Sequence, residues 1–111
     1  MAHADAYSDE FRTFRQAYAA RLPERLLSIR QALEQIRRRD DASAALRSLY
    51  QLIHRLAGSS GMYGFRDVGE RAHHLESLLR PMLEAEWTLS AEVDSQIEYL
   101  LRQLEEAVLS V

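Results

Sequence analysis

Apolar residues recur at steps of three and four along almost the whole chain, the period of helices that bury one face. Phe11, Phe14 and Tyr18 begin the pattern and predict a short first helix. Ser8 would cap it, with Asp9-Glu10 at the positive end of its dipole. Residues 1–7 ahead of it read as a disordered or frayed tail. Pro23 suits the first turn of a second helix, which carries Leu22, Leu26, Ile29, Leu33 and Ile36 and ends on Arg37-Arg38-Arg39. Asp40, Asp41 and Ser43 offer caps for a third, whose apolar face is Leu46, Leu49, Leu52, Ile53 and Leu56. This helix is expected to run to about residue 61 and to turn near Gly64. A fourth carries Val68, Ala72, Leu75, Leu79 and Met82. Pro81 is expected to kink or break it, since an interior proline costs ~3 kcal/mol. Trp87-Thr88-Leu89-Ser90 reads as a connection ending on the cap Ser90, and the last helix carries Val93, Ile97, Leu100, Leu101, Leu104 and Val108. No strand pattern and no repeat interrupts this. The fold class is therefore all-α: an antiparallel four-helix bundle with a short additional N-terminal helix over one end, residues 8–111 forming one domain.

Composition narrows what such a bundle does. The 111 residues are 47% hydrophobic and 28% charged, as in an ordinary globular domain. Cysteine is absent, which removes disulfides, thiol nucleophiles and thiolate metal sites. Lysine is absent too, so all 14 basic side chains are Arg. That excludes P-loop and Lys-based kinase chemistry and Schiff bases. Net charge is −3 and the longest basic run is followed at once by Asp40-Asp41, a poor footprint for nucleic acid. No apolar run approaches the ~20 residues that span a bilayer, and the N-terminus lacks a signal-peptide core. The chain reads as soluble and cytoplasmic, and its initiating Met and short tail fit a complete protein.

One surface is unusual. On a wheel of about 100° per residue with His54 at zero, the third helix's apolar residues fall between about 160° and 280°. His54 therefore projects into solvent. Arg47, Gly58 and Gly61 lie within about 40° of it. Tyr50 and Gln51 flank this stripe, with Ala57 on its edge. Glycine inside a helix costs ~1 kcal/mol relative to alanine, so two glycines one and two turns beyond an exposed imidazole need a reason. Clearance supplies one: another protein's active site could press on the helix there and reach the ring. Packing or helix ending would suit Gly61 and Gly64, but Gly58 points away from the core. Imidazole in water has a pKa of about 6.5, so at pH 7 most of it is neutral and carries a lone pair. Such a ring can attack a phosphoryl group and hold it as a reactive phosphoramidate. Ser59 and Ser60 are weaker nucleophile candidates, having no evident base, and Ser60 points to the core.

The stretch His54-Arg55-Leu56-Ala57-Gly58, with Gly64 ten residues after the His, resembles the signature of histidine-containing phosphotransfer (HPt) domains of two-component phosphorelays. Ala72-His73-His74-Leu75-Glu76 resembles the family's Ala-x-x-Leu-Glu, and Leu22-Pro23-Glu24-Arg25-Leu26 the opening of its second helix. The resemblance implies a relay intermediate. His54 would accept a phosphoryl group from a receiver-domain aspartate and pass it to another receiver. The partners implied are receiver domains of a hybrid histidine kinase or a response regulator. They would bring the divalent metal, so the chain needs no cofactor or metal of its own and has no autonomous kinase activity. Docking would use Gly58, Arg55, Arg47, Tyr50, Gln51, Ala57 and Gly61 around His54, with the chain a monomer rather than a dimer. One position departs: the family usually carries Lys three residues after the His, where this chain has Ala57. Arg47, the better placed on the wheel, or Arg55 is expected to supply that charge.

Two other readings compete. His73 and His74 are adjacent, so on a helix they point about 100° apart and chelate one ion poorly. They read as solvated, and His3 lies in the tail and needs no function. The alternative for the whole chain is a chemically silent interaction or dimerisation bundle, which leaves Gly58 unexplained. Tyr63, Phe65 and Trp87 read as packing at helix ends.

Overall fold

Among the described residues there are four helices: α1 (Ala2–Arg37), α2 (Ala42–Met62), α3 (Arg66–Glu84) and α4 (Ala91–Leu109). The computed structural model describes the backbone of residues 2–111 and the side chains of residues 9–111. The side chains of the expected tail, residues 1–7, and of Ser8 lie outside the described residues. The all-α reading holds, and among the described residues there is no strand.

The expected division at Pro23 does not occur. The short first helix and the second helix are one 36-residue helix with Pro23 inside it, so among the described residues there is no separate N-terminal helix and Ser8 does not begin one. The reason lies in the stripe on either side. Tyr18 and Leu22 before the proline, and Ile29, Leu33 and Ile36 after it, are all buried along one face. A break at Pro23 would turn half of that stripe away from the core. Pro23 itself is exposed, so the carbonyl it leaves unpaired can turn to water. Thirty-six residues at ~1.5 Å each give a rod of ~54 Å, which sets the molecule's long dimension of 57 Å. Pro81 likewise lies within α3 rather than ending it, three residues before the helix end.

α2 packs against α1 and α3, and α3 against α4. The core consists of the expected leucines and isoleucines, with Leu22, Ile29, Leu33, Leu49, Ile53, Leu75, Leu79 and Leu104 fully buried. The α1–α2 turn is tight: Arg39 (φ 58°) and Asp41 (φ 47°) are both left-handed. Asp41 is the N-cap of α2, but neither it nor another of the expected residues caps through its side chain. At the other end of α2, Gly64 N–H bonds Gly61 C=O and Phe65 N–H bonds Ser60 C=O, with Gly64 at φ +84°. This paired closure needs a left-handed residue and explains the expected turn at Gly64. Ser90 caps α4 as expected, its Oγ accepting from Val93 N–H at 3.1 Å.

Ion pairs tie α1 to α4. Arg30 donates to both carboxylate oxygens of Glu98 at 2.7 Å and to both of Glu105 at 2.7 and 3.1 Å. Arg37 reaches Asp94 and Glu98 at 2.8 Å and Glu34 at 2.7 Å. Hydrogen bonds from Arg30 outweigh partial burial and, with those from Arg37 and Arg102, hold the Glu98 carboxyl far below the usual carboxylate range.

Candidate functional site

α2 turns Ile53 and Leu56 into the core, and this rotation leaves His54 between them facing out, its side chain 61% exposed. Tyr50, one turn earlier, lies nearly parallel to the imidazole, ring centres 5.8 Å apart. Gly58, one turn later, is exposed; a methyl group there would meet nothing within 4 Å, and the same is true of Gly61. Neither glycine is required by packing, so the clearance expected on this stripe is present.

The ring is not alone. His54 Nδ1 lies 2.6 Å from Glu76 Oε1 on α3. Glu76 sits on the apolar face that carries Ala72, Leu75 and Leu79, and its side chain is only 4% exposed. Arg80, one turn on, donates from Nη2 to the same Oε1 at 2.8 Å and from Nε to the Tyr50 hydroxyl at 3.3 Å. The Tyr50 hydroxyl in turn approaches Oε1 at 3.3 Å. The other oxygen, Oε2, is buried without a hydrogen bond, with His73 Nδ1 at 3.3 Å. Burial pushes the Glu76 carboxyl up, but hydrogen bonds from His54 and Arg80 outweigh it, and its pKa lies below the ordinary value.

This fixes the tautomer. An ionised carboxylate only accepts, so the proton between it and the ring sits on Nδ1. In the neutral ring the lone pair is then on Nε2, the nitrogen turned away from α3. The site thus has an oriented nucleophile and a buried negative charge that stabilises the ring whenever Nε2 forms a bond and the ring becomes cationic.

Of the residues expected around His54, Tyr50, Gly58 and Gly61 lie as predicted, and Gln51, Arg47 and Arg55 are exposed. Ala57 is not on the accessible surface: it is 5% exposed, on the side of α2 facing Gly69 of α3. Arg47 and Arg55 make no side-chain hydrogen bond to the site; Arg47 lines a cleft with Ile36, Met82 and Trp87 at the bundle end. Ser60 is buried, and it and Ser59 share the Tyr18 hydroxyl at 2.9 and 2.6 Å. Tyr63 stacks on Tyr18 and Phe65 is buried, so both serve packing. His73 and His74 are exposed, and His73 approaches Glu76. Glu76 and Arg80 are the residues that reasoning from the site helix missed. The signal available was an acid on the apolar stripe of α3, with an arginine four residues on.

Among the described residues no cluster of three or more His, Asp or Glu side chains is arranged to hold a metal ion. No helix there is long and apolar enough to cross a membrane. Fold and site together define a helical bundle that presents one oriented, accessible histidine. The match to a protein-family model agrees: residues 13–107 fit the Hpt domain, and the chain belongs to that family. Hpt domains carry phosphoryl groups on histidine in phosphorelays, exchange them with receiver domains and are carriers rather than kinases. No curated protein matches the chain.

Proposed function

We propose that His54 Nε2 is the phosphoryl-accepting atom of a relay between two receiver domains. The observation that carries this reading is the exposed ring whose Nδ1 proton is held by the buried Glu76. In the forward step the Nε2 lone pair forms an N–P bond with the phosphoryl group of a receiver's aspartyl phosphate. The P–O bond to the aspartate breaks and the aspartate leaves as a carboxylate. The ring becomes cationic and keeps its proton on Nδ1, hydrogen-bonded to the Glu76 carboxylate. Transfer to a second receiver is the same step reversed. Gly58 and Gly61 leave room for the receiver's catalytic edge to reach the ring. The divalent metal belongs to the receiver, and the chain itself does not use ATP.

Incubation with a phosphorylated receiver tests this. The expected result is an acid-labile, alkali-stable label on the chain that disappears in His54→Gln. If no receiver of the source organism labels the wild-type chain, the bundle is an interaction module with a chemically silent histidine.

A further inference from the structure

We propose that Arg80 is the phosphoryl-binding cation of this site: its guanidinium contacts the group once it is on Nε2 of His54. This deepens the relay reading and rests on it. A phosphoryl group brings a charge of about −1.5 to −2 to the ring. The nearest fixed charge is Glu76, also negative, 2.6 Å from the ring nitrogen. Left unopposed, that carboxylate would repel the incoming group. The position where the family carries lysine cannot help, because Ala57 is buried and has no charge.

Arg80 meets the requirement in three ways. It binds the same Glu76 oxygen as His54 does, so Arg80 Nη2 is no farther from His54 Nδ1 than those two short bonds laid end to end, with Nε2 on the far side of the same ring. Its arm is held from both helices, by Glu76 of α3 and by the Tyr50 hydroxyl of α2, the residue stacked on the ring. It also has donors to spare. Of five N–H groups, one on Nη2 serves Glu76 and Nε serves Tyr50; the second on Nη2 and both on Nη1 have no partner among the described residues. Its side chain is 57% exposed, so these donors are available to an arriving phosphoryl group. The other cation-forming groups around the ring are worse placed: Arg55, next to His54 in the chain, projects about 100° round α2 from it and makes no side-chain hydrogen bond to the site. Arg47 is seven residues from His54 along α2, about 10 Å of helix rise, and lines the cleft at the bundle end. His73 faces the other oxygen of Glu76.

The test uses the full chain and phosphoramidate, which needs no partner protein. The Nε2 lone pair forms the new N–P bond, the donor's P–N bond breaks and ammonia leaves. Phosphorus and ring-nitrogen NMR follow the product and the Nδ1 proton in the wild type, Arg80→Ala, Arg80→Lys and His54→Gln. The expected result is Nε2-phosphohistidine in the wild type and none in His54→Gln. Arg80→Ala should form it about fivefold or more slowly at low salt, with the difference shrinking as salt rises. Arg80→Lys should recover part of the rate, and the Arg80 guanidinium resonances of the wild type should shift on phosphorylation. Rates within about twofold for Arg80→Ala at low salt overturn the inference and leave the relay reading intact. Loss of the Nδ1 proton in Arg80→Ala also overturns it, making Arg80 a positioning residue acting through Glu76. A wild-type chain that is not phosphorylated at His54 overturns the relay reading itself.

Discussion

Replacing Gly58 should move stability and function in opposite directions. A methyl group at Gly58 meets no atom within 4 Å, so Gly58→Ala causes no clash and loses no contact. What remains is helix propensity, worth ~1 kcal/mol in favour of alanine inside a helix. For a domain of this size that raises Tm by about 4 °C. Gly58→Leu should gain nearly as much, since leucine is almost as good a helix former. Its effect on transfer is the reverse. Side chains on a helix lean toward its N-terminus, so a leucine at this position lies over the turn that carries His54. A receiver must then displace it or dock farther out. A loss of ~1.4 kcal/mol in docking is already tenfold in transfer rate. Thermal melts followed by circular dichroism, and transfer from a phosphorylated receiver, measure the two effects. Phosphoramidate labelling is the control and should change little, because the donor is small. A lower Tm in Gly58→Ala would refute the claim that the glycine is not needed for packing. Undiminished receiver transfer in Gly58→Leu would refute clearance as its purpose.

Two further outcomes concern the frame. Glu98→Gln should destabilise the fold by about 1–2 kcal/mol at pH 7, between the values for exposed and buried ion pairs because its side chain is 22% exposed. The Glu98 pKa is depressed in the folded state, so its contribution is full above the ordinary carboxylate range and is lost as pH falls below it. Wild-type stability in urea should therefore decline below about pH 4.5, and Glu98→Gln should flatten that decline; parallel curves for the two would discount the α1–α4 ion pairs. Gly64→Ala should cost about 1–2 kcal/mol, since φ +84° disfavours any residue with a Cβ; an unchanged urea midpoint would show that the turn relaxes.

Local pattern, read from the residues alone, determined the helical class, the buried stripes from Tyr18 onward though not Phe11 and Phe14, which are exposed, the Ser90 cap, the turn at Gly64 and the exposure of His54 beside Gly58. These depend on period and on single-residue conformation, which neighbouring residues report. Tertiary structure decided the rest. Pro23 looked like a beginning because a proline suits a helix start, but burying Tyr18 and Leu22 in line with Ile29 and Leu33 favours one continuous rod over two helices. Ala57 looked like the edge of the accessible stripe until the rotation of α2 against α3 placed it in their contact. Glu76, Arg80 and His73 could be placed on α3 from their spacing, but which helix face they would meet depended on how α2 and α3 turn toward each other. That rotation is set by the packing of both helices at once, and no period within either one encodes it.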